Sequence, residues 1–375
     1  MIAVIADDFT GAAELAGIAL RYGLKVGLYT KDIVDGDIDV VVVSTDSRSL
    51  GRQEAIAVTA KTVQQLTQLK PTIIYKKTDS VLRGHVVDEL NFQMQLQGFI
   101  KALYLPANPS LGRTISDGKY FVHGEEINKT GFATDPEFSI KSSLIVDMLK
   151  SEDVLVLKNE ESLPEQRIVV GEVSNKQHIQ QWLNKIDESY LLAGAGDTFE
   201  CLLEKLGHQP TEYNSLELLK PHLYVSGTAF NQGIAFVKSV IESRVHYLSA
   251  KIMLEENDEQ WFSRITSAIH QQEKAIIAIN DTIAKELKIA ALQLRTAMAK
   301  AVKQVIEQAG VKEVFIEGGS TAAAILNELD IDDFVPVNEI SRGVIRMKAT
   351  TQDLYFTVKP GSYQLPQELI RLYKP

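Results

Sequence analysis

Short apolar runs alternate with amphipathic stretches along the first half of this chain, and that alternation restricts its fold more than any other feature. The runs are residues 2–6, 39–44, 72–77, 102–105, 154–157 and 167–173; residues 53–69 are one of the stretches between them. Brief apolar runs bounded by polar turns suit strands buried on both faces, and helical segments between them build βαβ units. Residues 190–196 read as a further strand and turn. Residues 207–221, with two prolines and a glycine, break the pattern. It restarts with runs at 223–225, 275–279 and 313–317, a long helix near 285–309, and a strand pair at 343–350 and 353–359. A chain of 375 residues is long for one core. The expected class is α/β: two α/β domains with mainly parallel sheets and a cleft between them. The first covers residues 1–207, a linker 208–221, and the second 222–375.

The first strand leads directly into Asp7-Asp8-Phe9-Thr10-Gly11-Ala12, and helical composition begins at Ala12. Residues 7–11 are therefore a strand-to-helix turn, at the sheet edge where ligands gather in open α/β folds. Two adjacent carboxylates repel, which favours a chemical role over a decorative one. The bland alternative is that Asp7 caps the helix while Asp8 is solvated. A haloacid-dehalogenase-type phosphatase, with Asp-x-Asp-x-Thr, is a sharper alternative. Its alignment places Ala6 where the nucleophilic Asp must stand, so that reading fails.

Three more polar turns follow strands of the first half: Thr45-Asp46-Ser47-Arg48, Lys76 to Gly84, and Leu105 to Thr114. The second holds Lys77, Asp79, Ser80 and Arg83, and the third holds Arg113. Arg suits bidentate carboxylate recognition, and Lys offers a compact charge. Asp79 and Ser80 are candidates for sugar hydroxyls; the plain alternative is a solvated basic turn with Asp79 capping the next helix. Four such turns along one edge suit a small, hydroxyl-rich anion. In the second half, Ser226-Gly227-Thr228, Gly318-Gly319-Ser320-Thr321 and Lys359-Pro360-Gly361 each follow a strand. Glycine turns ahead of a helix offer backbone N–H groups to phosphate, and three together favour a nucleotide site.

Other chemistries score poorly. The net charge of −10 argues against a nucleic-acid surface. There is no Gly-x-x-x-x-Gly-Lys-Ser/Thr string, and Phe199 stands where the third glycine of a dinucleotide fingerprint would follow Gly194-Ala195-Gly196. The histidines show no paired zinc spacing. Trp182 and Trp261 lie in helical stretches as core or interface residues. The one cysteine, Cys201, reads as a buried thiol on a helix face and leaves no internal disulfide. With no membrane-length apolar run and no leader before the first strand, a cytoplasmic protein is expected.

Together these motifs resemble the four-carbon acid sugar kinase family. Its members carry Asp-Asp-x-Thr-Gly-Ala, Lys-Thr-Asp-Ser-x-Leu-Arg-Gly and Gly-Arg-Thr. They stand here as residues 7–12, 77–84 and 112–114. The family's later Ser-Gly, Gly-Gly-Asp/Glu-Thr and Lys-Ser-Gly turns match 226–227, 318–321 and 359–361, where Ser320 replaces an acidic residue and Pro360 interrupts the last turn. The resemblance implies phosphorylation by ATP, with Mg²⁺, of the terminal hydroxyl of threonate, erythronate or 3-oxo-tetronate. It assigns Asp8 and Asp7 to catalysis, and Thr10, Lys77, Asp79, Ser80, Arg83 and Arg113 to the acid. Ser226, Gly227, Gly318, Gly319, Ser320, Thr321, Lys359 and Gly361 are assigned to ATP. The expected partners are these two small molecules, not nucleic acid or membrane; a homo-oligomer is left open. Two rivals stand beside it: a sugar-acid-binding protein with a degenerate ATP domain, and a metal-dependent hydrolase or phosphatase.

Overall fold

The computed structural model describes residues 1–373 except 35, 135–137, 166, 214, 216 and 229. In chain order the strands are β1 Ile2–Ala6, β2 Val26–Tyr29, β3 Val40–Ser44, β4 Ile73–Lys77, β5 Lys101–Leu105, β6 Arg113–Ser116, β7 Lys119–Val122, β8 Glu125–Glu126, β9 Val154–Leu157, β10 Arg167–Gly171 and β11 Tyr190–Gly194. They continue with β12 His222–Ser226, β13 Val245–Tyr247, β14 Lys274–Ala278, β15 Glu313–Glu317, β16 Asp333–Ser341, β17 Val344–Ala349 and β18 Tyr355–Lys359. The chain divides into two compact units, Met1–Val26 with Ile33–Thr211, and Gly27–Asp32 with Glu212–Pro375.

In the first unit the strands run in the order β3-β1-β4-β11-β5-β10-β9, all parallel. All five side chains of β1 are buried, as its Ile-Ala-Val-Ile-Ala sequence requires of a strand covered on both faces. Register then fixes the edge chemistry. Ala6 lies beside both Ser44 and Lys77, and Gly194 beside Lys77 and Leu105. The turns after β1, β3, β4, β11 and β5 therefore leave the sheet at one level. A small antiparallel sheet, β6-β7-β8, follows β5.

The second unit orders its strands β13-β14-β12-β15-β18-β17-β16-β2. Its first four neighbouring pairs are parallel, through β18; β17 and β16 are antiparallel. Residues 28–29, from the start of the chain, pair antiparallel with β16. Ser226 aligns with Ala278 and Glu317, and Glu317 with Lys359, so four turns again leave at one level.

One expectation about the elements needs correction. The long helix near 285–309 is two helices, Asp281–Glu286 and Ala291–Ala309. Lys288 adopts the left-handed conformation and the Ile289 N–H reaches back to Ala284 O, closing the first helix. Asp117 and Gly118, both at positive φ, join β6 to β7. Trp182 and Trp261 are fully buried on helices Lys176–Asn184 and Glu259–Gln272. Cys201 is buried in helix Gly196–Lys205, and burial pushes its thiol up to about 12. No helix among the described residues is long and apolar enough to cross a membrane.

Candidate functional site

Asp8, not Asp7, caps the first helix, Phe9–Arg21. Its extended backbone, φ −144°, lets its side chain accept from the Gly11 N–H at 3.1 Å. The Thr10 hydroxyl donates to its other oxygen at 2.6 Å. Neither aspartate is solvated: their exposures are 4% and 9%. The group that permits this is Arg48, from the turn after β3. Its Nε and Nη2 fork onto Asp7 at 3.0 and 2.9 Å, and Nη2 also reaches Asp8 at 2.7 Å. Arg48 Nη1 stands 3.6 Å from Asp79, so one guanidinium bridges three carboxylates.

Asp79 caps no helix. It holds Arg83, which donates to it from its backbone N–H at 3.1 Å and from Nε and Nη2 at 2.6 and 3.0 Å. Gly84 closes this loop at φ +87°. A Cβ there would stand 3.1 Å from Arg48 Cγ, so the loop needs glycine for both conformation and space. Ser80 is engaged by its own neighbours: Arg113 donates to its hydroxyl and Tyr120 to its carbonyl. Lys77 donates to Thr78 O at 2.9 Å and lies 3.8 Å from Glu14. Thr78 donates to the Tyr104 hydroxyl at 2.9 Å. Below this layer, Lys76 and Glu89 form a buried ion pair, and Ser47 donates to the same glutamate at 2.8 Å. That bond anchors the turn bearing Arg48.

These contacts separate the two aspartates electrostatically. Burial pushes Asp7 above its ordinary range against the opposing pull of Arg48, with Asp8 adding to the rise. Burial acts on Asp8 too, but Arg48, Lys77 and the Thr10 hydroxyl outweigh it and hold Asp8 low. Asp79 is also held well below the usual carboxylate range, burial being outweighed by Arg83 and Arg48. The same buried surroundings thus shift the two adjacent carboxyls in opposite directions, Asp7 up and Asp8 down.

In the second unit, the three glycine turns meet through their backbones and one buried cluster. The Gly227 N–H donates to Glu317 O at 3.0 Å, and the Gly318 N–H to Lys359 O at 3.0 Å. A Cβ on Gly227 would collide with the Thr321 side chain. Gly319 opens the helix Gly319–Glu328, where Ser320 is exposed and Thr321 buried. Gly361 packs against Thr228. The fully buried Lys359 does not present its ammonium to the turn's open side. It pairs with Glu317 at 2.9 Å and donates to the Pro360 and Tyr363 carbonyls at 2.8 and 2.7 Å. Burial pushes its pKa down. Tyr224 and, at 3.4 Å, Ser226 donate to the same Glu317.

A cavity of ≈ 400 Å³ opens beside the 226–228 turn, with Ile234, Val237, Tyr247 and Leu294 as apolar wall and Asn280 and Thr282 as polar wall. Sequence reading missed both this cavity and the role of Arg48. The cavity's walls come from elements over fifty residues apart. Arg48 was visible within its turn, but only the β1–β3 register places it against Asp7 and Asp8. No group of three or more His, Cys, Asp or Glu side chains among the described residues can hold a metal ion.

Comparison with known proteins agrees with this division. Residues 2–192 match the family model of a sugar-binding N-terminal domain, and residues 232–363 that of a nucleotide-binding C-terminal domain. D-threonate kinase of Salmonella typhimurium is 32% identical over 153 residues, 39% of this chain and 35% of that enzyme. D-erythronate kinase of Heliobacterium modesticaldum is 28% identical over 40% of this chain and 36% of its own length. The match thus spans little more than a third of these two relatives. 3-oxo-tetronate kinase of Brucella melitensis is 23% identical over 96% of this chain and 92% of its own. A solved Salmonella typhimurium protein shares the fold at TM-score 0.78 and 18% identity, covering 99% of this chain and 98% of that one. The chain belongs to the four-carbon acid sugar kinase family.

Proposed function

We propose that this protein is an ATP-dependent kinase that phosphorylates the terminal hydroxyl of a four-carbon sugar acid: threonate, erythronate or 3-oxo-tetronate. The observation that carries this reading is the paired, buried Asp7 and Asp8 beside Arg48, Arg83 and Arg113 at one sheet edge. In this reading the acid's carboxylate takes its charge complement from Arg83 and Arg113, with Lys77 close by. Its hydroxyl donates toward Asp8, and Thr10 keeps the Asp8 carboxylate oriented. Asp7, locked in the Arg48 fork, orients the sugar.

ATP is the second substrate. A cavity of this size suits a nucleobase, and the glycine turns beside it expose backbone where phosphates need close approach. Gly227, Gly318, Gly319, Thr321 and Gly361 supply that cradle, with the Ser226 and Ser320 hydroxyls. Lys359 serves by holding its turn rather than by touching phosphate. The hydroxyl oxygen attacks the γ-phosphorus, the bond to the β–γ bridging oxygen breaks, and the hydroxyl proton passes to Asp8. Positioning and charge stabilisation then carry most of the rate. The described residues offer Mg²⁺ no ligand cluster of their own, so a Mg²⁺ would enter with the nucleotide phosphates and no step is assigned to it.

One observation favours a second reading. With the Lys359 ammonium engaged by Glu317 and Ser320 in place of an acidic residue, a protein that binds the acid without nucleotide is the alternative. Replacement of Asp8 by Asn separates these roles. Asn preserves the helix cap but cannot take the proton. Turnover should fall by about 10²- to 10⁴-fold with an unchanged far-UV CD spectrum. Unaltered turnover would remove Asp8 as the base.

A further inference from the structure

The small sheet β6–β8 and the turn after it touch the Thr78–Gly84 loop through three side chains. Arg113 and Tyr120 bond Ser80. The third is Phe132, in the short 3₁₀ turn Gly131–Thr134 and 7% exposed. Its ring centroid lies 5.9 Å from the Arg83 guanidinium carbon and 5.5 Å from that of Arg113. The Ile140 N–H donates to Phe132 O at 3.2 Å and holds the backbone at this point. Arg83 and Arg113 come from different loops, and their like charges repel. An aromatic face attracts each cation through its quadrupole within about 6 Å. An aliphatic side chain of similar size fills the same space without that attraction.

We propose that Phe132 is a positioning residue for acid binding: its ring holds Arg83 and Arg113 at one place, so that a single carboxylate meets both. This rests on the kinase reading above. Phe132 acts through Arg83 and Arg113, the groups assigned to the acid's carboxylate, so its effect falls on acid affinity.

The test compares wild type with Phe132→Leu and Phe132→Trp, offering D-threonate, D-erythronate, L-threonate and 3-oxo-tetronate separately. Acid KM, ATP KM and kcat are measured by ADP release, and acid Kd by calorimetry without nucleotide. Phe132→Leu should raise acid KM and Kd roughly tenfold, leaving ATP KM and kcat within about twofold. Phe132→Trp, which restores an aromatic face, should bind acid like wild type. Equal acid affinity in Phe132→Leu, or equal losses in both variants, overturns the proposal. A wild type that binds acid but turns over none contradicts the kinase reading instead, and the calorimetric comparison still decides the role of Phe132. A wild type that binds no acid overturns both.

Discussion

Arg48 is the residue on which the first unit's chemistry depends. One guanidinium bridging Asp7, Asp8 and Asp79 in a buried site compensates charges that otherwise repel one another. Removing it takes the guanidinium fork from buried Asp7 and one cation from Asp8. Arg48→Gln should therefore lower unfolding free energy at pH 7 by about 3–5 kcal/mol, read from urea midpoints. The loss should shrink as the pH falls, because the orphaned buried carboxyls take up protons above the ordinary carboxylate range. A loss under about 1 kcal/mol would mean that the bridge is solvated like a surface pair. At this scale the sequence was legible in kind but not in assignment. It placed two carboxylates at a strand-to-helix turn. Which of them caps the helix depends on backbone angles, and Asp8 won because it is the last extended residue. Asp79 and Ser80 looked free for sugar hydroxyls, yet Arg83 engages Asp79 within the same loop, and Arg113 reaches Ser80 from the start of β6, a contact that no local pattern encodes.

At the scale of elements, strand β12 shows how burial writes a pH response into the fold. Its first residue, His222, is 2% exposed and lies edge-on to Tyr373 at 5.6 Å. Burial, then Lys274 and Lys220, push its pKa down to about 4 from an ordinary value of 6.5. A base depressed by folding contributes stability that is complete above pH 6.5 and drains away as the pH falls toward 4. Urea midpoints of wild type should decline across that window, and those of His222→Leu should decline less. Parallel decline of the two would discard His222 as the titrating group. Short apolar strands were the most legible elements: residues 2–6, 154–157 and 313–317 coincide with β1, β9 and β15, because brief apolar runs bounded by polar residues have few alternatives. The break at Lys288 was hidden, since a non-glycine left-handed residue carries no compositional mark. The β6–β7 hairpin did leave one, Asp117-Gly118, a strong two-residue turn signal that went unread.

Over the whole molecule, each unit brings a different chemistry to one edge of its own sheet. The first gathers carboxylates and guanidinium groups, the second glycine turns beside a partly apolar cavity. Composition and alternation foretold two α/β units, but not that residues 27–32 fold with the second. Strand β2 is short, and its partner β16 lies some three hundred residues away in sequence, so no local periodicity announces the pairing. The division of labour makes the central claim simple to test. ADP release from Mg-ATP should be measured with D-threonate, D-erythronate, L-threonate and 3-oxo-tetronate, each offered separately. The account predicts turnover with at least one acid, lost in Asp8→Asn. No turnover with any of them, together with thermal stabilisation by an acid and none by ATP, would contradict it and leave a sugar-acid-binding protein.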